Sequence, residues 1–240
     1  MNWVLFARSE EQGHDVIDTS RWTSFRGVAT ILEIAARGLL SQKYWPATFF
    51  PKKHANPMSE LDSILEFNRH FVASKKYKYY TTDKYPARHL AILSCMDTRM
   101  LELLHLALGI KNGDAKIIKN AGATITHPFG SVMRSLIIAV YRLRVSEILV
   151  VGHKDCGMQG LDAREILSEV KRAGIAEESL EMLQNAGINL EQWLAGFDSV
   201  EKSVEHAVEL IRKHPIMPKD IRVHGLIMDP KTGELTLLAR

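Results

Sequence analysis

Ala91-Ile92-Leu93-Ser94-Cys95-Met96-Asp97-Thr98-Arg99 and Ile148-Leu149-Val150-Val151-Gly152-His153-Lys154-Asp155-Cys156-Gly157 are the two stretches that decide how this chain folds. Each is a short apolar run that gives way to polar residues. Such a run reads as a strand buried on both faces, as in a parallel sheet, that stops at a functional loop. Two strands of this kind bring Cys95, His153 and Cys156 to one edge of one sheet, where open α/β folds keep their ligands. The chain of 240 residues holds no other cysteine. The pair could form a disulfide, lie inert in the core or bind a metal, and nothing in the sequence suggests the secretion that would favour a disulfide. Two thiolates and one imidazole make a three-ligand zinc set, which leaves a fourth tetrahedral position free for chemistry.

Outward from these strands, the sequence alternates between helix and strand patterns. Leu61, Ile64, Leu65, Asn68 and Phe71 share one helix face, with Ser59 as N-cap and acids in the first turn. Leucines 101, 103, 104, 106 and 108 mark a helix from Met100 to Leu108, and Lys116–Lys119 is a short strand leading into Asn120-Ala121-Gly122-Ala123. An apolar helix spans Gly130–Leu143. After Cys156 comes a helix-rich insert, with candidates at 160–172, 176–185 and 198–213. Ile221–Met228 is a fourth strand, and Glu234–Leu238 returns antiparallel after the turn at Asp229-Pro230. Strand and helix in alternation predict a mostly parallel four-stranded sheet with one antiparallel edge strand and helices on both faces, an α/β fold.

Residues 1–57 have a different character, with Trp3, Trp22 and Trp45, one short helix candidate from Val28 to Leu40, and a proline-bounded linker from Trp45 to Pro57. That candidate is too short and too charged to span a bilayer. The expected organisation is an N-terminal extension or linker over 1–57, without a sustained pattern, and a zinc-binding catalytic domain over 58–240. Formal net charge is +3, from 31 basic and 28 acidic residues, so no strong field argues for nucleic acid or a membrane as partner. Lys75-Lys76-Tyr77-Lys78 reads as a solvated helix end. The absence of a targeting signal favours the cytoplasm.

Cys-x-Asp-x-Arg at 95–99 followed by His-x-x-Cys-Gly at 153–157 resembles the β-class carbonic anhydrases. Lys119-Asn120-Ala121-Gly122-Ala123 and Val223 through Asp229, with Thr232-Gly233, support the likeness, which covers about residues 59–240. The spelling Cys-Met-Asp-Thr-Arg and the long insert resemble a bacterial and archaeal branch that also includes carbonyl sulfide and carbon disulfide hydrolases. The resemblance implies one zinc ion per subunit on Cys95, His153 and Cys156, and reversible hydration of carbon dioxide to bicarbonate and a proton by zinc-bound hydroxide. It implies Asp97 and Arg99 as the catalytic pair, with Asp97 either ligating zinc or held off it by Arg99. Gly122 and Ala123 are implied at the substrate site, where a residue without a side chain admits substrate to backbone donors. It further implies a homodimer or a dimer of dimers.

The residues carry this chemistry on their own terms. Zinc lowers the pKa of a bound water from 15.7 to about 7. Two thiolates blunt that effect, so neighbouring groups must compensate, and Asp97 stands two residues from a ligand. The planar fork of Arg99 suits bidentate pairing with a carboxylate. Asp97 also reads as a helix N-cap, Asp155 as a turn residue and His105 as a half-buried helix residue. Three functions share the ligand set: a zinc lyase acting on carbon dioxide, a zinc hydrolase acting on carbonyl sulfide or carbon disulfide, and a catalytically weak zinc-binding protein. The last predicts a broken dyad, whereas Asp97 and Arg99 are both present; a closed structural site would need a fourth protein ligand, for which Asp97 is the ready candidate.

Overall fold

A computed structural model describes residues 59–240, so the expectations for 1–57 lie outside the described residues. Residues Lys75–Arg240 form one compact unit. The helix before it, α1 (Glu60–Ala73), opens on a capping box: Ser59 Oγ accepts from the Asp62 amide, and the Asp62 carboxylate accepts from the Ser59 amide. That reciprocal pair satisfies two backbone donors that a helix start leaves without partners.

The sheet has five strands in the order β2-β1-β3-β4-β5. They are β1 (Leu90–Cys95), β2 (Ala115–Asn120), β3 (Glu147–His153), β4 (Arg222–Met228) and β5 (Leu235–Ala239). The first four run parallel, and β5 pairs antiparallel with β4. This is the predicted fold: four parallel strands with one antiparallel edge.

Alternation along β1 divides the core between the two faces of the sheet. Ala91, Leu93 and Cys95 pack with Met133 and Leu136 of α3 (Ser131–Leu143) and with Val204, Val208 and Ile211 of α7 (Val200–Lys213). Ile92 faces the other way, toward Met100 and Leu104, where α2 (Leu103–Ala107) covers the sheet beside Val151 and Met228. Burial on both faces explains why β1 and β3 are nearly continuous apolar runs. Each such aliphatic side chain, taken wholly out of water, contributes about 1.5–3 kcal/mol before the entropy of ordering is counted.

Several boundaries differ from the sequence reading. The leucine-rich stretch divides into a 3-10 turn, Thr98–Met100, and a five-residue α2. The insert comprises α4 (Ala163–Arg172), α5 (Glu177–Asn185) and an unforeseen α6 (Leu190–Leu194) before α7. At Gly152, a Cβ would lie within 2.8 Å of Val200 and Val204, so the glycine lets α7 come down close on β3 just before His153.

Candidate metal centre

β1 and β3 are neighbours in the sheet and run parallel, so they deliver Cys95 and His153 side by side at their carboxyl ends. Both residues are the last of their strands, not the first of a loop: Cys95 still pairs with Asn120, and His153 with Met228. The chain then turns through Lys154-Asp155 and returns Cys156 to the same spot. The turn needs Asp155 in the left-handed region, at φ 54°.

The thiols of Cys95 and Cys156 are 3.9 Å apart, far beyond a disulfide bond, and both are free. With His153 they form a group whose ligand atoms all lie within 4.8 Å of one another, and all three residues are buried. His153 Nδ1 lies 2.9 Å from the Lys154 carbonyl, which fixes the proton on Nδ1 and leaves the Nε2 lone pair directed inward. That Nε2 is buried and has no hydrogen-bond partner among the described residues. A buried acceptor without a partner costs free energy unless something takes it up. Two soft sulfurs and an orphaned imidazole nitrogen at this spacing fit a zinc-like cation.

Electrostatics point the same way. Burial pushes the Cys95 thiol up, but the adjacent His153 imidazole and the amides of Asp97 and Gly122 outweigh it and bring the thiol down to about 7. The Asp97 amide sits 3.4 Å from that sulfur. Burial pushes Cys156 up to about 11, and the negative charge of Cys95 and Asp97 adds to the rise. Burial presses His153 down, but Cys95 and the Lys154 carbonyl more than offset it and raise it overall. One thiol is primed as a thiolate and the other resists ionising beside it. A cation between them removes that conflict.

Asp97 caps the turn that follows it and pairs with Arg99. Its Oδ1 accepts from the Arg99 amide at 2.8 Å, capping the turn Thr98–Met100, and from Arg99 Nε at 3.0 Å. Its Oδ2 accepts from Arg99 Nη2 at 2.8 Å and lies 3.8 Å from His153 Nε2. The Arg99 guanidinium holds the Asp97 carboxyl down at about 2. Arg99 is itself shared, because Nη1 donates to the Asp155 carboxylate at 2.9 Å and Nη2 to the Asp155 carbonyl at 2.8 Å.

Gly122 sits in the turn Ala121–Ala123 at φ 81°, a left-handed conformation that glycine adopts without strain. The space that a side chain would take is filled: a Cβ would lie 2.6 Å from the Phe197 ring and 3.2 Å from Met158. The missing side chain therefore serves close packing rather than admitting substrate, and the Gly122 amide lies against Cys95. Ala123 is wholly buried, with its methyl in the core.

Cys95, His153, Cys156, Asp97, Arg99 and Gly122 thus come together, and Ala123 borders them from within the core. Sequence reasoning gave no site role to four neighbours. Asp155 looked like a turn residue. Lys119 was quoted only as part of a motif, yet its Nζ donates to the carbonyls of Cys95 and Met100 at 2.9 and 3.2 Å, closing the loop that carries Asp97. Phe197 and Met158 carry no chemical signal, and the backbone bonds of Phe197 with Met158 and Gly160 set them over Gly122.

Comparison with known proteins gives a consistent result. The family model described as "Carbonic anhydrase" matches residues 90–235. "Putative carbonic anhydrase YvdA" of Bacillus subtilis is 52% identical over 183 residues, which is 76% of this chain and 93% of that protein. The carbon disulfide hydrolase of Acidithiobacillus thiooxidans is 31% identical over 157 residues, 62% of this chain and 76% of that one. Among solved structures, the β-carbonic anhydrase isoform I of Trichomonas vaginalis superposes with a TM-score of 0.70 at 32% identity, covering 76% of this chain and 99% of that one.

Proposed function

This chain belongs to the β-carbonic anhydrase family, and on that premise we propose that it is a zinc lyase, one ion per subunit, that interconverts carbon dioxide and bicarbonate. The observation that carries the proposal is the buried Cys95, His153 and Cys156 triad with its unpartnered imidazole nitrogen. Those three residues would hold the ion, and the ion would supply Lewis acidity that makes water nucleophilic near neutral pH. The remaining work falls to the chain itself. Asp97, kept ionised by Arg99, accepts a hydrogen bond from the attacking water through Oδ2 and orients its lone pair at carbon. As the water oxygen bonds to carbon, one C=O bond opens to take the electron pair, and the released proton passes to solvent. The Gly122 amide tempers the charge on Cys95, and in this proposal the backbone at Gly122 and Ala123 is the wall that substrate would meet. Phe197 and Met158 close off the space behind that turn.

The proposal extends to architecture: the catalytic domain is 58–240, residues 1–57 are an extension, and subunits pair as a homodimer or a dimer of dimers. Met96 and Leu101, which flank Asp97 and Arg99, are 65% and 61% exposed, an apolar rim suited to a second subunit. Among the described residues, no helix is long and apolar enough to cross a membrane.

The 31% identity to a carbon disulfide hydrolase supports a second reading, hydrolysis of carbonyl sulfide or carbon disulfide at the same site. Stopped-flow hydration of carbon dioxide by zinc-loaded protein, from about pH 6.5 to 9, tests the first. The rate should rise with pH through one ionisation. Asp97 is ionised across that whole range, so the ionisation is not its own. Asp97→Asn should keep zinc and lose about 10²-fold or more in turnover. A background rate on fully loaded protein, with sulfide released from carbonyl sulfide, would replace the first reading with the second.

A further inference from the structure

Arg99 joins the two ligand-bearing turns by hydrogen bonds through both edges of its guanidinium. One edge, Nε and Nη2, holds Asp97 at 3.0 and 2.8 Å. The other reaches across 56 positions to Asp155, with Nη1 to the carboxylate at 2.9 Å and Nη2 to the carbonyl at 2.8 Å. Asp155 lies between His153 and Cys156 and adopts φ 54°, a region where glycine is at ease and most residues are strained. Aspartate tolerates that conformation better than most. A carboxylate occupies this position although a bare turn would not need one.

Its position matters because Asp97 is contested. Asp97 Oδ2 is 2.8 Å from Arg99 Nη2 and 3.8 Å from His153 Nε2, the atom offered to a cation. If Asp97 moves inward it occupies the fourth coordination position; if Arg99 holds it, that position stays free for water. Arg99 can hold Asp97 only if Arg99 is itself held. Its side chain is 38% exposed on a flexible stem, and an unanchored guanidinium would follow the carboxylate.

We infer that Asp155 is a positioning residue: its carboxylate and carbonyl anchor Arg99, so that Arg99 keeps Asp97 off the fourth coordination position. The inference rests on the zinc-site reading above. It concerns the balance between two arrangements of the site and not the stability of the fold, since the Asp155 side chain is 79% exposed and a surface ion pair adds little to folding. A bias of that size, about two- to five-fold in population, is enough to matter where the two arrangements lie close in energy.

The test uses protein loaded with cobalt(II), whose visible absorption reports its ligands, titrated with azide as a probe of the open position. Two variants are compared with the parent. Asp155→Asn keeps the shape, the left-handed tolerance and one acceptor. Asp155→Gly keeps the carbonyl and relieves the backbone. Azide affinity should fall about two- to five-fold in Asp155→Gly and less in Asp155→Asn, with unchanged circular dichroism. In an Asp97→Asn background the same changes should have no effect, because no carboxylate remains to move inward. That cycle separates anchoring from a general loosening of the turn. Azide binding equal to the parent's in both variants overturns the inference, and so does a loss that persists in the Asp97→Asn background. If the parent takes up cobalt and binds azide but does not hydrate carbon dioxide, the lyase reading fails while this test stands. A parent that takes up no cobalt removes the zinc-site reading and this inference with it.

Discussion

Replacing Gly122 with alanine probes the turn beside Cys95 through two separable costs. An alanine at φ 81° occupies the left-handed region, which costs an L-residue about 1–2 kcal/mol. Its methyl would also lie 2.6 Å from Phe197 Cε1 and 3.2 Å from Met158 Cγ, so the Phe197 ring must move, and overpacking of this kind costs about 1–3 kcal/mol. The expected loss is therefore about 2–5 kcal/mol, a large part of the 5–15 kcal/mol typical of a domain. Urea unfolding of metal-free protein, followed by circular dichroism at one fixed protein concentration, measures it; the concentration is fixed because association shifts apparent stability. The decisive comparison adds Phe197→Ala. With the ring gone, the overpacking part disappears, so the double variant should be less destabilised than the sum of the singles by about 1–3 kcal/mol. The conformational part should remain. Displacing the Gly122 amide should also raise the Cys95 thiol above about 7 in the metal-free protein, which a thiol titration reads directly. Costs that add to within about 0.5 kcal/mol would refute the claim that the Phe197 ring fills the Gly122 space. A neutral Gly122→Ala would refute the strain as well.

Lys119→Met should weaken the site from behind. It removes the donor to the Cys95 and Met100 carbonyls, at a cost of about 1–3 kcal/mol for each group left unsatisfied, and should lower zinc affinity about 10-fold or more in competition with a chelator. Lys119→Arg should recover part of the affinity, and affinity unchanged in Lys119→Met would show that the clasp is dispensable. A chain starting at Met58 should stay soluble, hold one zinc per subunit and keep its turnover within about two-fold, since the family match begins at residue 90 and the helix start is capped locally by Ser59. An insoluble or metal-free truncation would place the domain boundary upstream.

What could be read from the sequence is what spacing alone encodes. Apolar runs at Ala91–Leu93 and Ile148–Val151 identify strands because burial on both faces leaves no alternation to hide them. His153 and Cys156 are three residues apart across one turn, so residue type and spacing together announce a shared ligand site. Asp97 and Arg99 likewise meet within a single turn. The five-residue α6 was missed because one turn and a half is too short to show a period.

Contacts between motifs are harder to read, and the reason is register. Cys95 faces the same core as Leu93 because β1 alternates, but which residue of β2 stands beside it depends on the Cys95–Asn120 pairing, and a shift of one position would turn Lys119 to the opposite face. The pairing of Ser94 with Lys119 puts that lysine under the Asp97 loop, and the pairing of Ser94 with Val151 brings Arg99 within reach of Asp155 two strands over in sequence. Phe197 is fixed over Gly122 by yet another device, the backbone bonds of Phe197 to Met158 and Gly160 that close the insert on itself. None of these pairings leaves a mark in composition or spacing. The candidate ligands are therefore legible one motif at a time, whereas the groups that hold Asp97, Arg99 and Cys95 in place become visible only once the strands are set side by side.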